Sequence, residues 1–167
     1  MNLYWLDESG FRLAIMARPR GGDWLADDIA LLKRAGVQVV ASILTDSEAQ
    51  ELELANESAI CALQGLSFCN FPIEDRSVPE DLAAFRQFVR QLASDLRASS
   101  TVAVHCRAGI GRSSLVAACL LVLQGISAER ALQIIEKTRG RPIPDTSEQR
   151  EWIVSFEKSE LRFTNPR

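Results

Sequence analysis

A cysteine and an arginine with five residues between them form the part of this sequence best suited to chemistry. Cys106 ends an apolar, β-branched stretch, and Arg112 opens a long apolar segment after a loop with two glycines. A thiolate is a strong nucleophile, and a guanidinium can grip two oxygens of an anion through its planar fork. The pair therefore predicts a site in which a thiol attacks a bound phosphate group.

The loop between the two residues is predicted to bind phosphate through its backbone. It consists of Arg107, Ala108, Gly109, Ile110 and Gly111. A tight curl can point successive N–H groups inward as an anion-binding nest, and the N-terminus of the next helix adds unpaired N–H groups and the positive end of its dipole. We expect both glycines to permit the positive φ values that the curl needs. The same field favours ionisation of the thiol at neutral pH.

Residues on either side of the pair are predicted to support it. The hydroxyl of Ser113 could donate a hydrogen bond to the sulfur and make it a better leaving group. His105 is the single histidine of the chain and ends the strand before the cysteine, so a structural role that helps to set the pKa of the thiol is expected. The other thiols are interpreted as small buried residues, and whether one of them protects Cys106 under oxidation stays open. They are Cys61, Cys69 and Cys119.

Cleavage of a phosphate ester also needs a proton for the departing oxygen. A carboxylic acid is the expected donor, because the only histidine adjoins the nucleophile. Asp75 lies in a loop that is bracketed by Pro72 and Pro79. If the strand before this loop neighbours the strand that ends near Cys106, Asp75 lies over the same sheet edge. The alternative is that Asp75 only forms a turn.

Strands and helices alternate along the chain. The predicted strands cover residues 2–6, 11–16, 37–44, 66–73 and 101–105, and the predicted helices cover residues 23–35, 46–63, 82–96, 112–124, 127–138 and 146–158. This order indicates an α/β fold with a mostly parallel central sheet and helices on both faces. In such sheets ligands bind beyond the carboxyl ends of the strands. The length and the absence of a flexible linker predict one catalytic domain over residues 1–167.

Composition limits the classes of partner. The chain has 167 residues, with 19 Lys and Arg against 22 Asp and Glu, which argues against general attraction to nucleic acid or to an anionic membrane. The longest apolar run, residues 115–123, is too short to span a bilayer, and the polar N-terminus does not have the pattern of a signal peptide. We therefore expect a cytoplasmic protein. A single histidine and cysteines without C-x-x-C spacing predict no metal centre, and no cofactor is expected.

Two motifs carry a resemblance to a known family. H-C-x-x-G-x-x-R-S, from His105 to Ser113, resembles the phosphate-binding loop of the protein tyrosine phosphatase superfamily. P-x-x-D-x-x-x-P, from Pro72 to Pro79, is similar to a segment of its small dual-specificity members. The resemblance covers residues 15–156 and implies the cysteine-phosphatase fold. It also implies metal-independent hydrolysis of phosphorylated proteins through a phosphocysteine intermediate.

The resemblance implies roles for individual residues. Cys106 would be the nucleophile, Arg112 would clamp the transition state, and Asp75 would act first as general acid and then as base toward water. Ser113 would ease breakdown of the intermediate. Gln149 lies where related enzymes have a glutamine near the attacking water, although residues 146–149 also fit a helix capping box.

Substrate class and partners are less closely defined. No tyrosine-bearing motif of the kind that deepens the pocket in phosphotyrosine-only members is present, so we expect phosphoserine and phosphothreonine to fit as well as phosphotyrosine. One alternative is a phosphatase for phosphoinositides or RNA 5′-phosphates, for which a basic rim would be needed. Arginines that could build the rim are Arg18, Arg20, Arg76, Arg139 and Arg141. Another alternative is an inactive phosphate-binding module. The oligomeric state stays open.

Overall fold

The computed structural model describes residues 2–164, in which five strands form one sheet with the order β1-β2-β5-β3-β4. β2, β5, β3 and β4 run parallel to one another, and β1 pairs with β2 in the antiparallel direction. The strands are β1 (Leu3–Trp5), β2 (Leu13–Ala17), β3 (Val39–Ser42), β4 (Ser67–Asn70) and β5 (Val102–Cys106). The mostly parallel α/β fold expected from the sequence is confirmed.

Seven α-helices cover the two faces of the sheet in the described residues. They are α1 (Leu25–Arg34), α2 (Asp46–Glu51), α3 (Glu57–Leu63), α4 (Leu82–Arg97), α5 (Arg112–Leu123), α6 (Ala128–Arg139) and α7 (Ser147–Thr164). Helices α1 and α3 pack on one face, and α4, α5, α6 and α7 pack on the other. Two hydrophobic clusters result, one on each side of the sheet. The central strand β5 contributes to both.

Side-chain alternation along β5 decides which way the residues near the site point. Val102, Val104 and Cys106 belong to the cluster under α4–α7, whereas Ala103 belongs to the cluster under α1 and α3. Because successive strand residues point to opposite faces, His105 lies on the α1–α3 face. The histidine and the cysteine are therefore adjacent in sequence but separated by the plane of the sheet.

One expectation about the elements is wrong. The helix predicted over residues 46–63 is two helices, because the chain turns at Glu53, where φ is +56°, and buries Leu54 in the α1–α3 cluster. The Glu53 carbonyl accepts a hydrogen bond from the Gly22 N–H over 3.1 Å. The condition stated for Asp75, that the strand before its loop neighbours β5, is not met, because β3 lies between β4 and β5.

Helix α7 is attached to α4 by an aromatic cluster. Phe85 of α4 makes edge-on contacts with Trp152 and Phe156, at ring-centroid distances of 4.9 and 5.9 Å. Trp152 stacks on Phe156 one turn later. The cluster fixes the start of α7 beside the carboxyl ends of the strands, which is where the site residues lie.

The domain prediction covers residues 1–167, of which residue 1 and residues 165–167 lie outside the described part. In the described part, no helix combines the length and the apolar character that crossing a membrane requires.

Candidate active site

The predicted phosphate loop joins the end of β5 to the start of α5. Cys106 is the last residue of the strand, and Arg112 is the first residue of the helix. Gly111 caps the helix without a side-chain hydrogen bond, so the first-turn N–H groups of α5 are left for a bound anion. This is the strand–loop–helix arrangement that the sequence predicts.

The two glycines of this loop differ in backbone conformation and in what surrounds them. Gly109 has φ of +68°, and a Cβ atom there would lie 2.5 Å from the backbone of Met16 in β2. The expectation of a positive φ is therefore met at Gly109. It is wrong for Gly111, whose φ is −83°. There a Cβ atom would lie 2.1 Å from Oδ2 of Asp145, so this exposed carboxylate would have to move to admit a side chain.

The thiol of Cys106 is buried and has a hydroxyl partner. Its Sγ lies 3.4 Å from Oγ of Ser113, which is itself fully buried in the first turn of α5. The other cysteines have no comparable setting. Burial raises the pKa of Cys61 and of Cys69 to about 12, so both thiols are neutral at physiological pH. Burial also raises the pKa of Cys119, which is fully buried in α5.

Arg112 lies under the loop with its guanidinium held on several sides. Nη1 and Nη2 donate to the two carboxylate oxygens of Glu48 over 2.7 and 2.8 Å, and Nη1 also donates to the Ile73 carbonyl over 2.8 Å. Nη2 lies 3.0 Å from Oδ1 of Asp75. Burial alone would lower the pKa of Arg112, but the Glu48 hydrogen bond and the charges of Cys106 and Asp75 raise it. The guanidinium is thus a fixed cation at the base of the site.

Glu48 is a member of the site that the sequence reasoning missed. It belongs to a capping box at the start of α2, in which its side chain accepts from the Thr45 N–H and its own N–H donates to the Thr45 hydroxyl. Burial would raise the pKa of Glu48, but hydrogen bonds from Arg112 and Thr45 hold it below 4.5. The capping pattern is visible in the sequence, whereas the contact with Arg112 across 64 residues is not.

Asp75 reaches the site although β4 lies at the edge of the sheet. Its loop turns back at Arg76, which has a positive φ of +59°, and Ser77 N–H donates to the Glu74 carbonyl over 3.0 Å. The Asp75 side chain remains 61% exposed while it faces Arg112. The structure therefore brings Cys106, Arg112, Ser113 and Asp75 together, and the roles assigned to them remain predictions.

Gln149 joins the Asp75 loop to the phosphate loop. Its side chain is fully buried, and Nε2 donates to the Ser77 carbonyl over 2.9 Å. Oε1 would lie 3.0 Å from a Cβ atom on Gly111. Thr146 caps α7 by accepting from the Gln149 N–H over 3.1 Å, but the Gln149 side chain points to the site and not back to the cap. Half of the capping box is therefore present, and a role of Gln149 near the attacking water remains a prediction.

The remaining predicted residues lie at the edges of the loop. The Arg107 side chain forms an ion pair with Glu51 outside the loop, and its carbonyl accepts from the Arg18 N–H over 3.4 Å. Ala108 and Ile110 contribute backbone to the loop, and the Ala108 carbonyl lies 3.5 Å from a guanidinium nitrogen of Arg139.

His105 is buried below the strand end and lies 3.0 Å from the carboxylate of Glu57 in α3. Glu57 was also missed by the sequence reasoning, as was Asp145, because neither lies in a motif and both contacts arise from long-range packing.

Comparison with known proteins identifies the family of this chain. A family model described as a polymorphic toxin system DSP-PTPase phosphatase matches residues 14–126. Cyclin-dependent kinase inhibitor 3 of Rattus norvegicus is 30% identical over 131 residues, which are 77% of this chain and 61% of that protein. Protein tyrosine phosphatase type IVA 3 of Bos taurus is 28% identical over 148 residues, or 85% of this chain and 78% of that protein.

Solved structures share the fold. A crystal structure of kinase associated phosphatase, in which the catalytic-site cysteine is replaced by serine, has a TM-score of 0.83 at 24% identity and covers 96% of both chains. A crystal structure of PTPMT1 has a TM-score of 0.77 at 23% identity and covers 98% of this chain and all of that one. The match to the rat relative spans less than two thirds of its length. On the family match, this chain belongs to the DSP-PTPase phosphatases, the small dual-specificity branch of the protein tyrosine phosphatases.

Proposed function

We propose that this chain is a cysteine-dependent phosphomonoester hydrolase that acts on phosphorylated proteins through a cysteinyl-phosphate intermediate. The observation that carries the proposal is the arrangement at the start of α5. A buried thiol lies 3.4 Å from a buried hydroxyl, at an uncapped helix N-terminus and beside a buried arginine. These groups can bind a phosphate dianion, ionise the thiol and stabilise the charge of the transition state.

The reaction would run in two displacements. In the first, the Cys106 thiolate attacks phosphorus, the ester P–O bond breaks, and Asp75 gives its proton to the departing oxygen. In the second, water attacks phosphorus and the S–P bond breaks. The water proton passes to Asp75, and Ser113 donates a hydrogen bond to the leaving sulfur. Inorganic phosphate is released and the thiolate is restored.

The test is hydrolysis of p-nitrophenyl phosphate with EDTA present, from about pH 5 to about pH 8. We expect activity in the wild-type protein and none in Cys106→Ser. Cys69→Ser is the matched control, because that thiol is only half-buried and lies outside the site. An active Cys106→Ser variant would overturn the thiolate mechanism. An inactive wild type that still binds vanadate would favour a phosphate-binding module.

The substrate preference that we propose follows from the tyrosine content of the chain. Tyr4, the only tyrosine of the chain, lies in β1, and the sequence has no tyrosine-bearing motif of the kind that deepens the pocket in phosphotyrosine-only members. We propose that phosphoserine and phosphothreonine are hydrolysed as well as phosphotyrosine. Initial rates on three peptides that differ only in the phosphorylated residue test this proposal. Hydrolysis of the phosphotyrosine peptide alone would contradict it.

A phosphoinositide remains the second candidate, because a PTPMT1 structure in complex with PI(5)P has a TM-score of 0.76 with this chain. The arginines that could form the required rim are partly engaged elsewhere. Arg20 pairs with the buried Asp28 and packs on Trp24, and Arg139 lies over the Tyr4 ring. We therefore favour protein substrates. Faster phosphate release from a soluble phosphoinositide than from all three phosphopeptides would make the phosphoinositide the favoured substrate.

The proposed setting is the reducing cytoplasm. All four cysteines are free thiols in the described residues, and burial keeps three of them protonated. The proposed mechanism needs only the thiolate, the carboxylic acid and the amide cradle. It therefore uses no cofactor.

A further inference from the structure

A buried glutamine of α7 holds the loop that carries the predicted acid. The Gln149 side chain is fully buried, and its Nε2 donates to the Ser77 carbonyl over 2.9 Å. The Ser77 N–H in turn donates to the Glu74 carbonyl over 3.0 Å. Residues 74–77 therefore form a tight turn with Asp75 inside it, and the Gln149 amide binds the residue that closes this turn.

The other end of the same loop has anchors of its own. The Ile73 N–H donates to the Ile43 carbonyl over 3.2 Å, and the Ile73 carbonyl accepts from Arg112 over 2.8 Å. The Ile73 side chain is buried in the core, so this end of the loop is fixed. Asp75 thus lies midway between a fixed residue on its N-terminal side and a residue held by Gln149 on its C-terminal side.

Helix α7 gives the amide a rigid support. Thr146 caps the helix by accepting from the Gln149 N–H over 3.1 Å. One turn after Gln149, Trp152 packs edge-on against Phe85 of α4 at a ring-centroid distance of 4.9 Å. The helix is therefore fixed on both sides of the glutamine. A hydrogen bond from a buried donor is also stronger than one in water, because the local dielectric constant is low.

The acid needs such support because its own side chain is exposed. Asp75 is 61% exposed and faces Arg112, which the proposed mechanism also assigns to phosphate. Once phosphate occupies the guanidinium, that contact no longer holds the carboxyl group. A displacement of about 1 Å at a reacting group can cost about 10²-fold in rate. The two ends of the loop must then keep Asp75 over the departing oxygen.

We propose that Gln149 is a positioning residue that holds Asp75 in place for proton transfer, through the hydrogen bond to the Ser77 carbonyl. It acts on the first displacement, in which the ester bond breaks, whereas placing the attacking water belongs to the second. The proposed role uses Nε2, and a role toward water would use Oε1, which has no hydrogen-bond partner among the described residues. The inference rests on the proposed function, in which Asp75 is the acid.

The first test uses the wild-type protein and needs no turnover. Hydrogen exchange of the Gln149 side-chain N–H groups is followed by nuclear magnetic resonance, with and without bound vanadate. We expect slow exchange in both states, because the bond to the Ser77 carbonyl persists when an anion occupies the site. Gln87, an exposed glutamine of α4, gives the rate of a free amide. Exchange of Gln149 as fast as that of Gln87 in either state would overturn the proposal.

The second test separates the two displacements. The ratio kcat/KM reports the steps up to release of the leaving group, so it measures proton donation and is insensitive to the attack of water. In Gln149→Met we expect kcat/KM on phenyl phosphate to fall about tenfold to 10²-fold. On p-nitrophenyl phosphate it should fall much less, since p-nitrophenolate leaves more easily without a proton.

Two results of this test would overturn the proposal. A lower kcat with unchanged kcat/KM on both esters would assign Gln149 to the attacking water. An equal loss of kcat/KM on both esters would indicate a general disturbance of the site.

A hydrogen bond of the same kind at the far end of α5 provides the matched control. Nε2 of Gln124 donates to the Ala93 carbonyl over 2.9 Å, so Gln124→Met removes an equivalent bond away from the site. We expect this variant to keep the wild-type kcat/KM on both esters. The loss expected for Gln149→Met, if it also appeared in Gln124→Met, would contradict a specific role of Gln149.

Coupling to the acid completes the test. In an Asp75→Asn background, Gln149→Met should cause no further loss of kcat/KM on phenyl phosphate. Losses that multiply would contradict action of Gln149 through Asp75. Failure of the proposed function shows as an inactive wild type. Failure of this inference shows as an active wild type in which Gln149→Met gives one of the contrary results, or as fast exchange of the Gln149 amide.

Discussion

At the residue scale, Asp75 is the member of the site with the most freedom. Its side chain is 61% exposed, and its described contact in the site is with Arg112. A proton donor has to reach the departing oxygen of substrates of different shape, and an exposed carboxylate on a loop can do so. We infer that it moves away from Arg112 when phosphate enters.

The Asp75→Asn variant tests the proton transfer. Turnover of phenyl phosphate near neutral pH should fall by about 10²- to 10⁴-fold, because the phenolate then leaves without a proton. Turnover of p-nitrophenyl phosphate should fall less, since p-nitrophenolate is the better leaving group. Binding of vanadate should be retained. The neighbouring Glu74→Gln serves as control, and equal losses on the two esters would remove Asp75 from the acid role.

Glu48 belongs to the site and is also expected to stabilise the folded protein. Because hydrogen bonds hold its pKa in the folded protein below 4.5, its contribution is complete above about pH 4.5 and is lost as pH falls through the lower folded-state value. At neutral pH, Glu48→Gln should lower the free energy of unfolding by about 3 kcal/mol, since the buried Arg112 loses its carboxylate partner. The variant should also lose less stability on acidification than the wild type does.

The matched control for this measurement is Glu51→Gln. Glu51 pairs with Arg107, but the two side chains are 61% and 43% exposed, so the pair should contribute under about 1 kcal/mol. Urea unfolding at neutral and acidic pH measures both variants. An equal loss of stability in the two variants would contradict the prediction that Glu48 stabilises the fold more than Glu51 does.

At the element scale, the phosphate loop depends on how closely its backbone lies against β2. Gly109→Ala should destabilise the protein by about 1–3 kcal/mol and abolish phosphate binding, because the new Cβ atom collides with Met16 and φ is unfavourable. Gly10→Ala is the control, since φ is +76° there and no atom lies within 4 Å of the new Cβ. Urea unfolding and phosphate titration report both effects, and a Gly109→Ala variant as stable and as active as Gly10→Ala would contradict the prediction.

The elements themselves were largely predictable, whereas their contacts were not. β-branched runs and helical spacing identify the strands and most helices, and the motif from His105 to Ser113 identifies the loop. The break between α2 and α3, at residues 52–56, contains no glycine or proline that would have predicted it. It follows instead from the burial of Leu54. Glu48, Glu57 and Asp145 act through neighbours that are distant in sequence. Hydrophobic periodicity carries no information about such pairs.

At the scale of the whole molecule, the single-domain organisation over residues 1–167 remains a prediction. The three tryptophans, Trp5, Trp24 and Trp152, lie in β1, before α1 and in α7. If the chain is one cooperative unit, tryptophan fluorescence and far-UV circular dichroism should give coincident urea transitions. Two separated transitions would contradict it.

The coordination of Arg112 has a consequence for how substrate binding and acid catalysis are timed. Glu48 accepts hydrogen bonds from Nη1 and Nη2, and Oδ1 of Asp75 lies 3.0 Å from Nη2. In the proposed mechanism the same guanidinium has to bind two phosphate oxygens. An incoming phosphate must therefore exchange places with Asp75, which frees the carboxylate at the moment when the ester oxygen arrives. On the proposed mechanism, the contact with Arg112 therefore couples substrate binding to the availability of the Asp75 carboxyl group.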